Sequence, residues 1–565
     1  MKRRLVLSLC VLSYVVHADH AAAQWAANGN LLSGALGTQT DPAAAPDGAG
    51  GAFVVWADNR SGDWDIFAHR VNAWGQVYWP VPQNGTPVRT GVNNHTDPQV
   101  INDGNGSAII VWVNQNNNGA TDIYANLFDG TGNFLWGPTG VALCQAQHDQ
   151  HSPAVISDGA GGAIVAWTDA RSNDNSQVDV YVRRIASGGG PQWTSDGVAI
   201  GTSGNAQTSP KLVSDGLGGA IIVWEDNRTD GITKDIYAQR VNSAGVVQWP
   251  ANGVALVTAS GNQENIAVTA DGAGGAIVTW KDSRVADSHI YAQRINSSGV
   301  NQWNVDGVAV CAAVGGQLDP QIVPIGNGEV IITWIDLRIS TDANVYAQRL
   351  NSSGGALWTP NGNPVCSAVG AQAFSRPVAD GAGGAVVTWT DNRNGNLDIY
   401  AQRVGAGGAV QWTTDGVSLC TAANGQLDPA IVPDGFGGAI VAWSDSRNGL
   451  ADIYANRVSA GGSIPTAIGR TPANTLIASH SSPNPFSAHT TIEITLPGKA
   501  DVNVGIFDVA GRRVRTMSIG LVDAGTTPLA FDGRDERGHP LPSGVYFCRI
   551  HAGNAVVTRK MVIQR

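Results

Sequence analysis

The chain is short of charged residues, lysine and methionine. Charged residues make up 14% of its 565 residues, against about 25% in an ordinary globular protein. Only 6 residues are Lys and 3 are Met, and Glu is scarce as well. Long helical proteins and coiled coils depend on Ala, Glu, Lys and Leu, so this composition excludes them. The formal net charge of −11 argues against a nucleic-acid-binding protein, which would carry a basic surface.

Glycine and tryptophan are abundant instead. The chain has 71 Gly, about twice the usual share of roughly 7%, together with 18 Trp. A hydrophobic content of 43% excludes general disorder. A chain rich in Gly, Trp and turns is typical of all-β repeat proteins.

The N-terminal residues have the pattern of an export signal. Basic residues at positions 2–4 precede an apolar stretch at 5–16, and small residues follow at 21–23. This pattern predicts a secretory signal peptide over 1–23. The apolar stretch is shorter than the roughly 20 residues of a transmembrane helix, and no later segment is long enough. We therefore expect a protein without a transmembrane segment that passes through the periplasm and is secreted or displayed on the outer cell surface.

The cysteines do not form a disulfide framework. Cys10 lies in the signal peptide, and four of the other five occupy the same position in different repeats. Equivalent positions in neighbouring repeats are usually farther apart than the roughly 7 Å between Cα atoms that a disulfide allows. We expect five buried free thiols: Cys144, Cys311, Cys366, Cys420 and Cys548.

A phrase of the type D-G-x-G-G-A-[IV]-[IV]-x-W-x-D-x-R recurs eight times, at intervals of 54 to 57 residues, beginning at Asp47, Asp103, Asp158, Asp215, Asp271, Ile325, Asp380 and Asp434. A regular period of this length indicates stacked or circularly arranged units. Each unit resolves into four short β segments, as in a propeller blade. We therefore predict an all-β protein with an eight-bladed β-propeller over residues 24–458. A tandem of β-sandwiches is the alternative.

The two ends of the repeat array predict a closed ring. A Trp opens the fourth strand in seven of the eight units, and the last unit lacks it. The stretch Gln24-Trp25-Ala-Ala-Asn-Gly29 matches Gln248-Trp249-Pro-Ala-Asn-Gly253. The N-terminal strand should therefore complete the last blade, which removes the exposed edges of an open array.

Asp and Arg recur in the W-x-D-x-R phrase of almost every unit. A ring of such carboxylates is suited to binding cations or sugars, but a catalytic centre occurs once in a chain. Repeated Asp and Arg more simply pair with each other and satisfy buried backbone groups. We therefore predict structural roles for Asp169, Arg171, Asp226, Arg228, Asp391, Arg393, Asp445 and Arg447.

Ligand-binding candidates are sought where the units differ. Trp64 is an extra aromatic residue in the first unit, suited either to stacking on a sugar or aromatic partner or to packing its own loop. His95, His148 and His151 fall in two neighbouring loops. Their spacing matches no known metal-ligand pattern, so we predict neither a metal site nor a cofactor.

Known catalytic motifs are absent. The chain has no G-x-S-x-G, H-E-x-x-H, P-loop or EF-hand pattern, and its repeats lack the S-x-D-x-G-x-T-W box of sialidases. We therefore expect a protein that is not an enzyme.

The W-x-D-x-R and D-I-Y phrases resemble those of bacterial extracytoplasmic propellers of the TolB-like type, and this resemblance implies a fold and a compartment but no single activity.

The C-terminal region differs from the repeats. Residues 459–482 are rich in Ser, Thr, Ala, Gly and Pro and predict a linker. Residues 483–565 predict a small Ig-like β-sandwich, since short strands alternate with turns. Its motifs are Pro483-Asn484-Pro485-Phe486, Phe507-Asp508-Val-Ala-Gly511-Arg512, Phe531-Asp532-Gly533-Arg534-Asp535, Ser543-Gly544-Val545-Tyr546-Phe547 and Lys560-Met561-Val-Ile.

These motifs resemble the C-terminal sorting domains of type IX secretion and the similar Ig-like domain of flagellar hook-capping proteins. The first resemblance implies a signal read by secretion machinery at the outer membrane. A plain stabilising Ig module remains the alternative.

The sequence thus favours a secreted or surface-displayed, non-catalytic propeller that binds a glycan or a protein. In this hypothesis the C-terminal domain directs export. Two alternatives remain open: a propeller hydrolase or lyase acting on polysaccharide, and a structural component of a surface layer. An enzyme would require unrepeated carboxylate, His or Tyr side chains in a pocket at the mouth of the ring.

Overall fold

A computed structural model of the chain describes residues 25–79, 84–172, 177–339, 342–465, 477–496, 500–508, 513–523, 525–552 and 555–565. The predicted signal peptide and the central part of the predicted linker lie outside these residues. All regular elements in the described ranges are β-strands, and none of these ranges contains a helix able to cross a membrane. The chain divides into two compact units between Thr466 and Ala467.

The strands of the first unit are short, and most have four, seven or eight residues. In chain order they are β1 (Asn30–Ser33), β2 (Gln39–Pro46), β3 (Ala52–Asp58), β4 (Asp65–Val71), β5 (Thr86–Arg89), β6 (His95–Asn102), β7 (Ala108–Gln115), β8 (Thr121–Phe128), β9 (Val141–Cys144), β10 (Gln150–Ser157), β11 (Ala163–Asp169), β12 (Asp179–Ile185), β13 (Pro191–Gln192), β14 (Val198–Gly201), β15 (Gln207–Ser214), β16 (Ala220–Asp226), β17 (Asp235–Val241), β18 (Val254–Val257), β19 (Gln263–Ala270), β20 (Ala276–Asp282), β21 (His289–Ile295), β22 (Val308–Cys311), β23 (Gln317–Gly326), β24 (Glu329–Asp336), β25 (Asn344–Leu350), β26 (Asn363–Cys366), β27 (Gln372–Ala379), β28 (Ala385–Asp391), β29 (Asp398–Val404), β30 (Val417–Cys420), β31 (Gln426–Pro433), β32 (Ala439–Asp445) and β33 (Asp452–Val458).

These strands form antiparallel sheets, one for each sequence repeat. We name them sheet 1 (β2–β5), sheet 2 (β6–β9), sheet 3 (β10–β14), sheet 4 (β15–β18), sheet 5 (β19–β22), sheet 6 (β23–β26), sheet 7 (β27–β30) and sheet 8 (β31–β33 with β1). Sheet 3 carries the short β13 in addition to its four main strands. The all-β prediction is confirmed, and the sheets are consistent with propeller blades.

The second strand of each sheet is buried on both faces. In β16 every residue is buried, which explains its continuous apolar sequence. The first strands of successive sheets contact one another in chain order, and β31 of the last sheet contacts β2 of the first. The first strands therefore surround a central channel.

Residues near the N-terminus close this series of sheets. Strand β1 pairs with β33 of the last sheet, and Leu31 lies opposite Tyr454. The indole Nε1 of Trp25 donates a hydrogen bond to the Ala73 carbonyl at 2.9 Å. The guanidinium of Arg457 donates to the same carbonyl at 3.0 Å. The Ala73 carbonyl of the first repeat thus binds both the N-terminal segment and the last repeat.

The strands of the second unit are β34 (Ile477–Ser482), β35 (Thr490–Leu496), β36 (Ala500–Asp508), β37 (Arg513–Val522), β38 (Gly525–Phe531), β39 (Gly544–Ala552) and β40 (Ala555–Ile563). They form a sheet ordered β34-β35-β38 and a second sheet ordered β37-β36-β39-β40. Phe486, Ile494, Ile506, Cys548 and Met561 belong to one buried cluster within this unit. The second unit therefore has a hydrophobic core of its own.

The closing strand provides a matched pair of substitutions. Leu32 has no exposed surface, whereas its neighbour Leu31 is 47% exposed. We expect Leu32→Ala to lower the free energy of unfolding by about 2–5 kcal/mol, because it leaves a cavity in the seam between first and last repeats. Leu31→Ala should change it by only about 0.5 kcal/mol. Equal midpoints for both variants in chemical denaturation would contradict this role of β1.

Candidate functional site

In each sheet that has all three, the repeated Trp, Asp and Arg side chains are joined by hydrogen bonds. We call this group the Trp-Asp-Arg unit. In sheet 3 the indole of Trp167 donates to Asp169 Oδ2 at 2.7 Å, and the Arg171 guanidinium donates to Asp169 Oδ1 at 2.9 Å. The Asp169 carboxylate has no exposed surface. The predicted structural positions pair in the same way, at 2.6 Å for Asp169–Arg171, 2.5 Å for Asp226–Arg228, 2.6 Å for Asp391–Arg393 and 2.5 Å for Asp445–Arg447.

The arginine of this unit also joins the outer part of its sheet. Arg171 donates to the Asp196 carbonyl at 2.6 Å, and its guanidinium carbon lies 3.7 Å from the centre of the Tyr181 ring. Hydrogen bonding and cation–π stacking together use both the edge and the face of the guanidinium. The repeated Asp and Arg side chains are thus committed to contacts within the protein.

Four of the five described cysteines lie against these units, and all five are buried free thiols. The Sγ of Cys144 lies 3.7 Å from Asp169 Oδ2. Burial raises the pKa of Cys311 to about 11 and the pKa values of Cys144, Cys366, Cys420 and Cys548 to about 12. These thiols are protonated at neutral pH and are poor nucleophiles.

We therefore expect the native protein to react very slowly with a soluble disulfide reagent at about pH 8, where only the thiolate attacks. Unfolding in denaturant should make all five thiols react quickly. The measurement is the release of the reagent's chromophore with and without denaturant. Fast reaction of one or more thiols in the native protein would contradict their burial.

The third residue of each first strand has a left-handed backbone. The φ values lie between 47° and 57°, at a point where the strand pairing is irregular, for Asp41, Asp97, Ser152, Ser209, Asn265, Asp319, Phe374 and Asp428. Asp and Asn adopt this conformation more readily than other non-glycine residues. Phe374 is the exception, since a bulky side chain is disfavoured there, and it is 41% exposed.

Three carboxylates lie on consecutive first strands around the channel. Asp428, Asp41 and Asp97 belong to β31, β2 and β6, and these strands contact one another. The three residues line a common cavity of about 490 Å³, together with Ser152, Ser209, Lys211 and Arg376. We name Asp428, Asp41 and Asp97 the acidic arc.

Two carboxyl groups of the acidic arc, those of Asp97 and Asp428, have raised pKa values. Burial and the charge of Asp41 raise the pKa of Asp97, against an opposing effect of His151. Burial and the charge of Asp41 also raise the pKa of Asp428, against an opposing effect of Arg376. Water reaches both carboxylates, but the channel walls surround them and restrict their solvation. Asp97 and Asp428 therefore hold a proton at a higher pH than isolated aspartates would.

Two cations lie on other first strands of the same channel. Arg376 forms an ion pair with Asp319 at 3.0 Å, and both residues line a connected cavity of about 880 Å³ together with Lys211. The Lys211 side chain is open to the water of the channel but enclosed by its walls. Burial, together with the charge of Arg376, lowers the pKa of the Lys211 ammonium. Carboxylates and cations thus share one enclosed space.

A cluster of Lys–Glu ion pairs lies between sheets 4 and 5. Lys234 pairs with Glu225 at 2.8 Å, and Lys281 pairs with Glu264 at 2.8 Å. Glu225 also accepts a hydrogen bond from the backbone N–H of Asn265 at 2.7 Å, which fixes the left-handed residue of sheet 5. The hydrogen bond from Lys281 lowers the pKa of Glu264, so this cluster is a network of ionised pairs.

The ligand-binding candidates predicted from the sequence do not meet at one site. His95 has no exposed surface, and Trp64 is half-buried against a core cluster. His148 is exposed in a loop. His151 lies next to the channel, where its Nδ1 is 3.1 Å from Ser152 Oγ. Within the described ranges, no group of three or more His, Cys, Asp or Glu side chains is arranged to hold a metal ion.

Sequence reasoning overlooked most residues of the channel. Asp41, Asp97 and Asp428 stand at a position that is Asp in four of the eight repeats, and a repeated Asp suggests a structural role. A compositional signal was also present. Residues 24–466 contain only three Lys and three Glu, and five of these six lie between Lys211 and Lys281.

Comparisons with known proteins bear on the C-terminal unit and on the fold. Residues 484–555 match the family model of the FlgD Ig-like domain. The flagellar hook-capping resemblance is therefore confirmed, and the chain has an Ig-like domain near its C-terminus. No curated protein sequence matches the chain.

Several solved structures are similar to the chain at low sequence identity. One is an ulvan lyase of polysaccharide lyase family PL25, at 12% identity and a TM-score of 0.39, covering 78% of this chain and 97% of the lyase. Another is an exo-β-1,3-galactanase from Phanerochaete chrysosporium, at 13% identity and a TM-score of 0.28, covering 75% and 96%. A Hadza microbial sialidase matches at 13% identity and a TM-score of 0.32, covering 60% and 73%.

These neighbours contradict the prediction that the protein is not an enzyme, because they are glycan-active enzymes. That prediction rested on the absence of linear catalytic motifs. Such motifs cannot reveal a channel whose polar side chains come from separate strands about 55 residues apart. The similarity itself concerns the fold and assigns no substrate. The chain thus matches glycan-active enzymes at low TM-scores, and its residues 484–555 match the FlgD Ig-like domain.

Proposed function

We propose that the protein is a polysaccharide hydrolase whose active site is the mouth of the central channel. The observation that carries this proposal is the acidic arc, in which Asp428, Asp41 and Asp97 share one cavity with Lys211 and Arg376. This strand position is Asp in four of the eight sheets, and three of those four Asp lie on consecutive strands, which gives one side of the channel a concentration of carboxylates. Glycoside hydrolysis uses two carboxyl groups, one on each side of the scissile bond.

The arc supplies the two roles that hydrolysis needs. A protonated carboxyl group, Asp97 or Asp428, donates its proton to the glycosidic oxygen as the C1–O bond breaks. A second, ionised carboxylate takes a proton from the water whose oxygen forms the new bond to C1, or attacks C1 itself. A raised pKa favours the donor role.

The other side chains of the channel suit the binding of sugars. Phe374 occupies in sheet 7 the strand position that Asp428 occupies in sheet 8, has a left-handed backbone and is partly exposed. Strained residues persist where surrounding structure holds them and cluster at functional sites. Gln99, Gln321 and Ser209 line the cavity and offer hydrogen bonds to hydroxyl groups.

Asn variants provide the direct test, because Asn keeps the left-handed backbone that Asp adopts. We expect Asp41→Asn, Asp97→Asn and Asp428→Asn each to reduce the release of reducing ends from a responsive polysaccharide by at least about 100-fold. Asp415→Asn is the matched control, since Asp415 is also left-handed (φ 60°) but does not line the channel cavities. The melting temperature should stay unchanged in all four variants.

A loss of activity in Asp415→Asn equal to that in the arc variants would contradict the site. Product analysis separates the two enzymatic alternatives. Hydrolysis gives saturated products, whereas a lyase gives an unsaturated uronic acid at the new non-reducing end. Unsaturated products that depend on the arc would keep the site but replace hydrolysis by elimination.

The pH dependence gives a second test, with opposite signs for two variants. An acid that must be protonated supports activity below its pKa, so the rate falls as pH rises through that pKa. Asp41→Asn removes the negative charge that raises the pKa values of Asp97 and Asp428. In the pH–rate profile of this variant, the fall in activity on the alkaline side should therefore occur at a pH lower by up to about one unit. Arg376→Gln removes a charge that lowers the pKa of Asp428 and should move this fall in activity to higher pH.

The direction of these shifts identifies the acid. A shift in both variants assigns the proton donor to Asp428. A shift in Asp41→Asn alone assigns it to Asp97. If the fall in activity moves in neither variant, the rate does not depend on an acid in the arc, and the proposed mechanism is wrong.

We further propose that the eight sheets are the blades of one closed propeller. The closed order of contacts among first strands supports this proposal. We also propose secretion or surface display, with the predicted signal peptide for inner-membrane export. The C-terminal domain would then be the signal for the outer-membrane machinery, on the basis of its type IX-like motifs.

Deleting residues 483–565 tests this division of roles. The second unit has a separate core, so the truncated protein should fold and keep the melting temperature of the first unit. In the native host it should accumulate in the periplasm, which fractionation and immunoblotting would measure. Normal surface display or release of the truncated protein would contradict the sorting role.

A further inference from the structure

Sheet 2 lacks a buried carboxylate that the other seven sheets possess. In those sheets a buried Asp accepts hydrogen bonds from a Trp indole and pairs with an Arg two residues later, at Asp58/Arg60, Asp169/Arg171, Asp226/Arg228, Asp282/Arg284, Asp336/Arg338, Asp391/Arg393 and Asp445/Arg447. In sheet 2 the corresponding residues are Asn114 and Asn116. Both charges of the pair are therefore missing from this strand.

The tryptophan donor is nevertheless kept. Trp112 has no exposed surface, and its Nε1 has no hydrogen-bond partner, whereas Trp167 in sheet 3 donates to Asp169 at 2.7 Å. Asn114 uses its Nδ2 for the Gln115 carbonyl at 3.3 Å, and its Oδ1 has no partner. A buried donor without an acceptor is unfavourable and calls for an explanation.

An arginine from the preceding sheet replaces the lost guanidinium. Arg89 is the last residue of β5 and lies opposite Ile66, just as Cys144 at the end of β9 lies opposite Ile123. Cys144 contacts the Trp-Asp-Arg unit of sheet 3, where its Sγ lies 3.2 Å from Arg171 Nη2. By the same register, Arg89 reaches the residues of sheet 2 that stand in place of the Trp-Asp-Arg unit.

The electrostatic effects of Arg89 agree with this placement. Its charge acts to lower the pKa of Tyr124, as Arg171 does for the corresponding Tyr181 in sheet 3. Arg89 has no carboxylate within 4.0 Å in the part of the chain that the structure describes, and its buried Nε has no partner. The arginine is therefore present without the aspartate that balances it in the other sheets.

His95 adds a third polar group. It replaces the Gln that opens the other first strands, lies opposite Asn114, and has no exposed surface. Neither of its ring nitrogens has a partner. Burial and the charge of Arg89 lower its pKa to about 4, so the imidazole is neutral at neutral pH and can donate one N–H.

We propose that sheet 2 binds a small monovalent anion at the buried N–H donors that have no partner there, whereas the other sheets pair the equivalent Trp and Arg with an Asp carboxylate. The Trp112 indole, the Arg89 guanidinium and the His95 imidazole donate to it. A halide and a small carboxylate such as formate share this chemistry, since each offers one negative charge to several N–H donors. The nearby Asp122 does not take this place, because it forms no ion pair with Arg89 within 4.0 Å.

Thermal unfolding of the full chain tests the proposal. Sodium chloride, bromide or formate is compared with sodium gluconate at equal ionic strength, because gluconate is too large for the site. We expect the small anions to raise the melting temperature of the first unit by about 1–3 °C. Preference for halide or for formate identifies the natural ligand type.

Two variants make the test specific. Asn114→Asp supplies a carboxylate from the chain, so it should melt higher in gluconate and respond at least threefold less to the small anions. Asp169→Asn removes the corresponding negative charge from sheet 3 and should gain a response. Crystals grown with bromide should show anomalous scattering within about 3.5 Å of Trp112 Nε1.

Either of two results would overturn the proposal. One is an equal anion response in the wild type and in Asn114→Asp, which would place the effect elsewhere. The other is the absence of bromide scattering at Trp112, with either a water molecule or nothing in its place. The crystallographic result does not depend on the stability of either variant.

Discussion

A buried carboxylate with four hydrogen-bond donors organises seven of the eight sheets. Asp226, which has no exposed surface, accepts hydrogen bonds from the Trp224 indole at 2.7 Å and from the Arg228 guanidinium at 2.9 and 2.5 Å. The backbone N–H of Arg228 donates as well, at 2.9 Å. Such a charge is tolerated only while all partners are present, and removal of one costs about 3–5 kcal/mol. The arginine then donates to the Asn252 carbonyl, which connects the second strand to the outer edge of the sheet.

A second set of contacts joins each sheet to the next one. Arg240 on the third strand pairs with Asp215 at 2.9 Å and donates to the Ser297 carbonyl of the next sheet at 3.0 Å. The Trp249 indole donates to the same carbonyl at 3.2 Å. Because these contacts hold the scaffold from its second to its fourth strands, side chains on the first strands can vary. That freedom explains why the residues that differ from sheet to sheet lie along the channel.

Much of the fold was predictable from the sequence, because a period of about 55 residues and the W-x-D-x-R phrase act locally. Trp167 and Asp169 lie two residues apart on one strand, so their hydrogen bond follows from strand geometry alone. The candidate site was not predictable in this way. Asp41 and Asp428 are nearly 400 positions apart, and only ring closure brings their strands into contact. The expectation of a non-catalytic protein failed for the same reason, since it relied on residues that are close in the chain.

The amino-acid sequence alone determined the all-β class, the repeat and the distinct C-terminal domain, because composition, period and turn residues express local preferences. It also contained the substitutions that distinguish sheet 2, at Arg89, His95 and Asn114. Only the tertiary structure decided what these residues face. Arg89 meets the residues of sheet 2 that stand in place of the Trp-Asp-Arg unit, and Asp97 acquires its raised pKa from the channel walls and Asp41. Charge–charge interaction and desolvation depend on distances in space, and those distances exist only once the ring has formed.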